Sequence, residues 1–522
     1  MSEAGRTGSA PTPGTTPSWA VEQKPDPHRW WGLVVIALAQ LMVVLDATIV
    51  NIALPSAQRD LGMSDANRQW VITAYTLAFG GLLLLGGRIA DLVGRKKTFM
   101  LGLVGFAIAS GLGGAASSSG LLFGARALQG AFGALLAPAA LSLLTTTFTI
   151  GKERSKAFGI YGAIAGGGAA IGLIAGGLLT EYLNWRWCLY VNIPVAALAL
   201  VGAMVFLHAK PVRGRAHLDV PGAVLGCGGL VAIVYGCSEA QPRGWGDALV
   251  LTALLGGALL LVAFTWWQGR ARHPLLPLHI VRDRNRAGAF LTMGLALIAL
   301  FGMFLFMTYY LQVVLGYSPL RTGLAFLPMT AMIIIGSTQI SARLLHRLAP
   351  RILLVPGAVL VAVGLYLLTY LTAEPAFVSH VLPAELLVGL GMGLIFMPVM
   401  ATATAGVAPR DSGVTSATVN TAQQVGGSIG TALLNTIATS TSATYIGSHL
   451  IQATQDNGGR LTPALRDSVI KEGVVHGFNV AIGVAAGVML LAALIAGLMV
   501  TARAPQHGEA PADRAASADA PV

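Results

Sequence analysis

The 522-residue chain is short of charge. Only 11% of its residues are Asp, Glu, Lys or Arg, less than half the share of a soluble protein. With 55% of residues hydrophobic, so few charges cannot cover a globule that faces water. Cysteine is nearly absent. Cys188, Cys227 and Cys237 lie in apolar stretches, which excludes a disulfide framework and offers no metal-binding spacing. There is no P-loop, HExxH or CxxC, and no Ser/His/Asp set in a loop that would build a soluble site. These gaps argue against ATP-driven transport and enzyme chemistry, and give no call for a cofactor. The net charge of +11 comes from bases spread thinly along the chain, so it does not imply a nucleic-acid partner.

Long apolar runs are what the chain has in place of charge. A membrane span needs about 20 predominantly apolar residues, and fourteen stretches qualify: 31–54, 70–92, 98–117, 121–147, 157–180, 187–208, 220–239, 248–267, 287–313, 322–345, 352–372, 378–404, 412–437 and 475–502. Residues 1–28 and 503–522 are polar or Ala/Pro-rich and read as disordered tails. The first of them lacks the layout of a signal peptide. With both termini placed in the cytoplasm, 24 of the 33 Lys and Arg fall at inner ends and 8 at outer ones. That bias follows the positive-inside rule, and a missed span would invert it. The remaining base is Arg126, inside a span. The longest outer loop is 438–474.

An internal repeat supports the count. Gly86-Gly87-Arg88-Ile89-Ala90-Asp91-Leu92-Val93-Gly94-Arg95-Lys96 ends span 2. Shifted by 255 residues, the chain reads Ser341-Ala342-Arg343-Leu344-Leu345-His346-Arg347-Leu348-Ala349-Pro350-Arg351, at the end of span 10. The same shift carries Gly-rich span 5 onto Gly-rich span 13. The reading is an all-α membrane protein of two six-helix halves, 29–210 and 287–502, with two inserted helices in 211–286. Transporters built from such repeats bind substrate near mid-membrane between the halves.

Few residues inside the spans carry chemistry. Asp46, in the outer half of span 1, costs at least about 2.5–3.5 kcal/mol there, so an intramembrane acid marks function by default. Arg126 in span 4 stays charged and lies within about one helical turn of the depth of Asp46, which allows a pair. Glu385, early in span 12, is a third candidate for proton coupling. Asp91 with Gly87, Gly94, Arg95 and Lys96 forms a short inner loop. Its glycines permit close packing, and its carboxylate suits a helix N-terminus, which would make the group a conformational latch. Gly168, Gly172, Gly176 and Gly177 give span 5 a face for close approach. Tyr75, Phe304, Met307, Tyr310, Gln312, Asn420 and Gln423 are candidates for a substrate cavity, since aromatic and Met side chains offer adaptable contact area.

Across residues 30–440 and a final helix, the chain resembles the major facilitator superfamily, and within it the fourteen-helix drug:proton antiporters of the QacA/EmrB-like multidrug exporter group. Gly87 to Lys96 matches the superfamily's loop signature G-x-x-x-D-x-x-G-R-[RK]. Leu45-Asp46 to Pro55 and Arg126 with Gln129-Gly130 match motifs of spans 1 and 4. Trp185-Arg186-Trp187, Asn192-Ile193-Pro194 and Tyr310-Leu311-Gln312 resemble further signatures. The resemblance implies a coupling role for Asp46 and proton transfer at Arg126. It makes Gly168 to Gly177 an antiporter-like helix, although Leu173 stands where that motif has proline. The absence of acids in 322–345 implies monovalent cationic or neutral substrates. The expectation is proton-coupled efflux of lipophilic drugs or antibiotics by a monomer in the bacterial inner membrane, driven by the proton gradient without a cofactor. The alternative is a proton symporter importing a small metabolite on the same fold.

Overall fold

The computed structural model describes residues 27–63, 70–148, 151–207, 218–272, 274–372, 377–408, 411–456 and 462–502. The two expected tails, save residues 27 and 28, lie outside them, as does the segment with Arg213 and Arg215. Among the described residues every regular element is helical. In lipid, each backbone N–H and C=O must be satisfied within its own segment, which a helix does.

The long elements in chain order are α1 (Arg29–Asp60), α2 (Trp70–Val93), α3 (Arg95–Gly114), α4 (Ser119–Thr147), α5 (Gly151–Tyr182), α6 (Asn192–Phe206), α7 (Val220–Arg243), α8 (Ala248–Gln268), α9 (Arg284–Tyr309), α10 (Leu320–Leu344), α11 (Arg351–Leu368), α12 (Leu382–Ala403), α13 (Ser412–Asp456) and α14 (Pro463–Met499). Local chemistry sets their starts. Ser118, Asp247, Asp283 and Thr462 each accept a backbone N–H with the side chain and so open α4, α8, α9 and α14. Gly94, at φ 109°, turns α2 into α3 through a backbone region open mainly to glycine.

Among the described residues, twelve helices are long and apolar enough to cross a membrane. Two long ones are not among them. Several side chains of α5 lie outside the described set, and α13 is rich in Ser, Thr, Asn and Gln. The expected fourteen crossings are therefore not established. α13 nonetheless packs within the bundle, because many of its polar groups are satisfied locally. Thr415, Ser416, Thr418, Asn420, Ser428, Thr431 and Thr436 each donate to the carbonyl four residues back.

Helices α1–α6 pack together, as do α9–α14, while α7 leans on α2 and α13 and carries α8 on its other side. The contacts between the two groups follow the sequence repeat. α2 packs on α13 and α10 on α5, and α4 touches α13 as α12 touches α5. Shifting by 255 exchanges the members of each set. At the end that carries Arg95–Lys97, called here the basic end, the two groups are joined by hydrogen bonds. Ser142 Oγ and Ser412 Oγ lie 2.7 Å apart, Arg154 Nη2 donates to Thr404 Oγ1 at 3.0 Å, and Ser337 Oγ donates to the Gly159 carbonyl at 2.8 Å.

The expected outer loop 438–474 is largely helical. α13 has 45 residues and α14 has 37, so at 1.5 Å per residue both outrun a hydrocarbon core of about 30 Å. They continue as a pair beyond the bundle. Gly477 seats against Ser442 and the Ala438 carbonyl, and the Tyr445 ring stacks at 3.7 Å on His449 and lies 4.7 Å from His476.

Close packing leaves no room at certain glycines. A methyl group on Gly86 would strike the Ala134 carbonyl and the Leu135 backbone, whereas Gly120 has nothing within 4 Å. Gly86→Ala is expected to lower stability by about 1–3 kcal/mol. Gly120→Ala should be neutral or stabilising by up to about 1 kcal/mol. Thermal unfolding of the two variants in detergent checks this.

Candidate functional site

Five helices converge on one buried carboxylate. Asp46 sits on α1, 17 positions beyond Arg29, about 26 Å along the helix from the basic end. Its Oδ2 accepts from Arg126 Nη1 of α4 at 2.6 Å. Its Oδ1 accepts from Gln129 Nε2 at 3.0 Å and from Asn192 Nδ2, at the start of α6, at 2.8 Å. Arg126 also donates from Nε to the Val71 carbonyl of α2 at 3.1 Å and from Nη1 to Gln129 Oε1 at 2.9 Å. Gln129 donates onward to Ser110 Oγ of α3 at 2.7 Å. The guanidinium lies over the Tyr75 ring, 4.4 Å from its centroid.

Asp46 is 0% and Arg126 1% exposed, so water does not share the charge. A buried ion pair holds only when the remaining lone pairs and protons are also bonded, and Gln129, Asn192 and the Val71 carbonyl supply those bonds. Local sequence makes this possible. Arg126 and Gln129 are three apart, hence on one face of α4. Gly130 lets α4 approach α2, since a Cβ there would meet the Tyr75 carbonyl. On the side of Arg126 away from the basic end lies a niche of about 10 Å³, walled by Val50, Leu54, Val71, Leu122 and Leu189. That is near the lower limit for one water molecule.

A second cluster occupies the basic end. Asp91 receives the first N–H groups of the α13 region, from Gly413 to Oδ1 at 2.9 Å and from Val414 to Oδ2 at 3.1 Å. These are donors that a helix start leaves unpaired, and the helix dipole adds attraction for the carboxylate. Arg95 Nη2 stands 3.8 Å from Asp91. Gly87 meets Ala417 and the Gly413 backbone, with no space for a side chain. Lys96 Nζ donates to the Met204 carbonyl near the end of α6 at 3.0 Å, where the helix dipole favours a cation. Of the five residues read as a latch, Gly87 and Asp91 meet α13 and Arg95 stands beside Asp91, while Gly94 only turns the chain and Lys96 bonds to α6 instead.

Helix α5 is unbroken from Gly151 to Tyr182, in keeping with the absence of proline at 173. Its glycines face two ways. Gly168, Gly172 and Gly176 abut Val44, Thr48 and Ile49 of α1, and Gly172 also faces the carbonyl of Leu45, beside Asp46. Gly159, Gly167 and Gly177 abut Ser337, Thr330 and Leu320 of α10.

The other candidates are scattered. Glu385 on α12 is fully buried, and neither carboxyl oxygen has a hydrogen-bond partner; it is not part of the Asp46 cluster. Tyr75 belongs to that cluster. Phe304 packs on Phe326 of α10 at 5.0 Å, and Met307 is buried. Tyr310 donates to the Thr372 carbonyl at 3.0 Å. Gln312 follows in a π-helical turn and is half-buried. Asn420 donates to its own helix, and Gln423 is half-buried beside it. The described residues do not gather this set around one cavity. Sequence reading missed the bonding roles of Ser110, Gln129 and Asn192. Their signal was available, since each is a polar side chain in an apolar stretch near the depth of Asp46.

A multi-helix membrane protein with a buried ion pair at one level and a helix-to-helix latch at another has the build of a transporter. Residues 36–431 match the Major Facilitator Superfamily, and the chain belongs to that family. It is 56% identical to the puromycin resistance protein pur8 of Streptomyces alboniger, over 92% of this chain and 93% of that one. It is 39% identical to the cephamycin export protein CmcT of Amycolatopsis lactamdurans, over 80% and 87%. The tetracenomycin C resistance and export protein of Streptomyces glaucescens is 36% identical, over 81% and 78%. Among solved structures, the human organic anion transporter MFSD10 shares the fold, with a TM-score of 0.62 at 13% identity over 90% of this chain and 99% of that one.

Removing one partner of a buried pair strands the other charge. Arg126→Ala is expected to destabilise the protein by about 3–5 kcal/mol. The double variant Asp46→Asn/Arg126→Ala should recover part of that loss. A double-mutant cycle on thermal unfolding in detergent measures the coupling.

Proposed function

We propose that the protein exports lipophilic antibiotics, cationic or neutral, in exchange for protons by alternating access. The observation that carries the coupling is the Asp46–Arg126 pair, buried and bonded across five helices. Protonating Asp46 removes the charge that balances Arg126 and weakens the tie between α1 and α4. Helix α1 bears on α5 through Gly172, and α5 bears on α10. Loosening Asp46 is therefore felt where the two groups of helices meet. The Asp91 contact with α13 holds the basic end closed in one state. With bases inside, that end is the cytoplasmic one.

Relatives named for puromycin resistance and for cephamycin and tetracenomycin C export support efflux, and puromycin is the first substrate to test. Span α10 holds no acid, which suits a neutral or monovalent substrate. Glu385 serves as a second protonatable group. An isolated buried carboxylate is too costly to keep ionised without a partner, so it is carried as the acid and yields its proton when water or substrate reaches it. The protein works in the bacterial cytoplasmic membrane with both termini inside, as a monomer of fourteen crossings.

Two measurements test this reading. In inside-out vesicles under an imposed proton gradient, wild-type protein should accumulate puromycin in exchange for protons. Asp46→Asn should insert normally yet lose gradient-driven transport; full transport by that variant would remove Asp46 from the mechanism. The symport alternative, which rests on Leu173 in place of proline, predicts that substrate and protons cross in the same direction. Loosening the latch is a separate matter. Asp91→Asn keeps the size of the side chain but loses an acceptor oxygen and the charge. It should shift the population away from the state closed at the basic end, seen as faster labelling of a cysteine placed at Ser142.

A further inference from the structure

The inserted pair α7–α8 has no part in either cluster above, yet it carries a built groove. Helix α8 is the least buried of the twelve apolar helices, with 17% of its most apolar stretch buried. Leu251, Leu255, Leu259, Val262 and Trp266 are exposed along it at spacings of three and four, which makes one continuous face toward lipid. Near the basic end this face dips into a groove of about 610 Å³, lined by Leu261, Val262, Thr265, Trp266, Leu278 and Arg282. That volume is in the range of small-molecule sites.

The walls of the groove are held by one buried acid. Asp219, just before α7, accepts from Trp267 Nε1 at 2.9 Å, Gln268 Nε2 at 2.8 Å, Gly222 N at 2.9 Å and Leu275 N at 3.4 Å. Burial pushes this carboxyl up, but the four hydrogen bonds outweigh it and hold the group below the usual carboxylate range. Asp219 therefore pins the start of α7, the end of α8 and the segment leading to the short helix Leu278–Arg282. With Trp267 turned inward to Asp219, Trp266 is left facing the groove, and the Arg270 guanidinium sits 4.1 Å from its ring centroid.

Three arginines gather at this mouth. Arg282 lines it, Arg270 is fixed over Trp266, and Arg272 is close in sequence. The nearby acids are engaged: Asp219 as described, and Asp283 in capping α9 through Arg286 N. An apolar wall, a Trp at its end and arginines with no ion-pair partner among the described residues match a lipid with acyl chains along the wall and a negative headgroup at the mouth. We propose that this groove is a binding site for an anionic phospholipid of the inner leaflet, with its phosphate between Arg270 and Arg282 and a chain along Leu261 and Val262.

The test uses full-length protein in detergent, given phosphatidylglycerol or phosphatidylcholine of the same acyl chains, with bound lipid counted by native mass spectrometry. Wild type should retain phosphatidylglycerol in preference to phosphatidylcholine. Arg270→Ala/Arg282→Ala should lose most of that preference, by about 30-fold if each arginine contributes about 1 kcal/mol. Trp266→Ala should weaken both lipids, and Arg351→Ala, a charge removed elsewhere at the basic end, should change neither. Equal retention of the two lipids by wild type would overturn the site, as would an unchanged preference in the double variant. A loss as large in Arg351→Ala would mean attraction by overall charge and would overturn it too. The readout is a ratio between lipids, so partial loss of folded protein does not mimic the result.

Discussion

The ion pair of Asp46 and Arg126 is the constraint on which the rest depends. Neither charge is tolerable alone in a membrane interior, and neither touches water. Each must therefore be brought to the other, and their spare bonding sites must be filled as well. This requires α1, α2, α3, α4 and α6 to meet at one depth, with Gln129, Asn192, Ser110 and the Val71 carbonyl as supports. One carboxylate thus organises five helices at a single level.

Glycine joins this cluster to the rest of the molecule. On one face α5 is pressed to α1 beside Asp46, and on the other to α10. Interfaces this close are bistable rather than compliant, because backbone meets backbone with no side chain to yield. The latch at Asp91 is of another kind. It is a carboxylate on two N–H groups at a helix start, donors that the helix itself leaves unpaired. Tight apolar seams and a polar clasp at one end are together suited to rocking about a fixed axis.

Much of this was legible in the sequence. The apolar runs gave the helices, since lipid leaves the backbone no other choice. The 255-residue repeat gave the two halves, and the structure then paired their helices in matching ways: α2 meets α13 as α10 meets α5. Asp46 and Arg126 stood out because charge is rare in the spans. Less legible was anything that depends on side-chain direction. The residues taken for a substrate cavity are spread over several interfaces, because an aromatic in a span looks the same whether it faces lipid, a neighbouring helix or a cavity. The outer segment 438–474 read as a loop for its polarity, yet its small residues let α13 and α14 pack together as helices beyond the bundle.

The sequence by itself determined the class of the protein, the order of its helices, the basic end and two intramembrane charges at a depth that allows a pair. These follow from composition, periodicity and the price of charge in lipid, all of which act along the chain. Only the tertiary structure decided which polar groups close the Asp46 cluster, that Asp91 caps α13, that Glu385 stands without a hydrogen-bond partner, and that Asp219 shapes a groove beside α8. Each of these joins residues tens to hundreds of positions apart. Whether such groups meet depends on helix rotation and approach, which packing sets and linear pattern does not record.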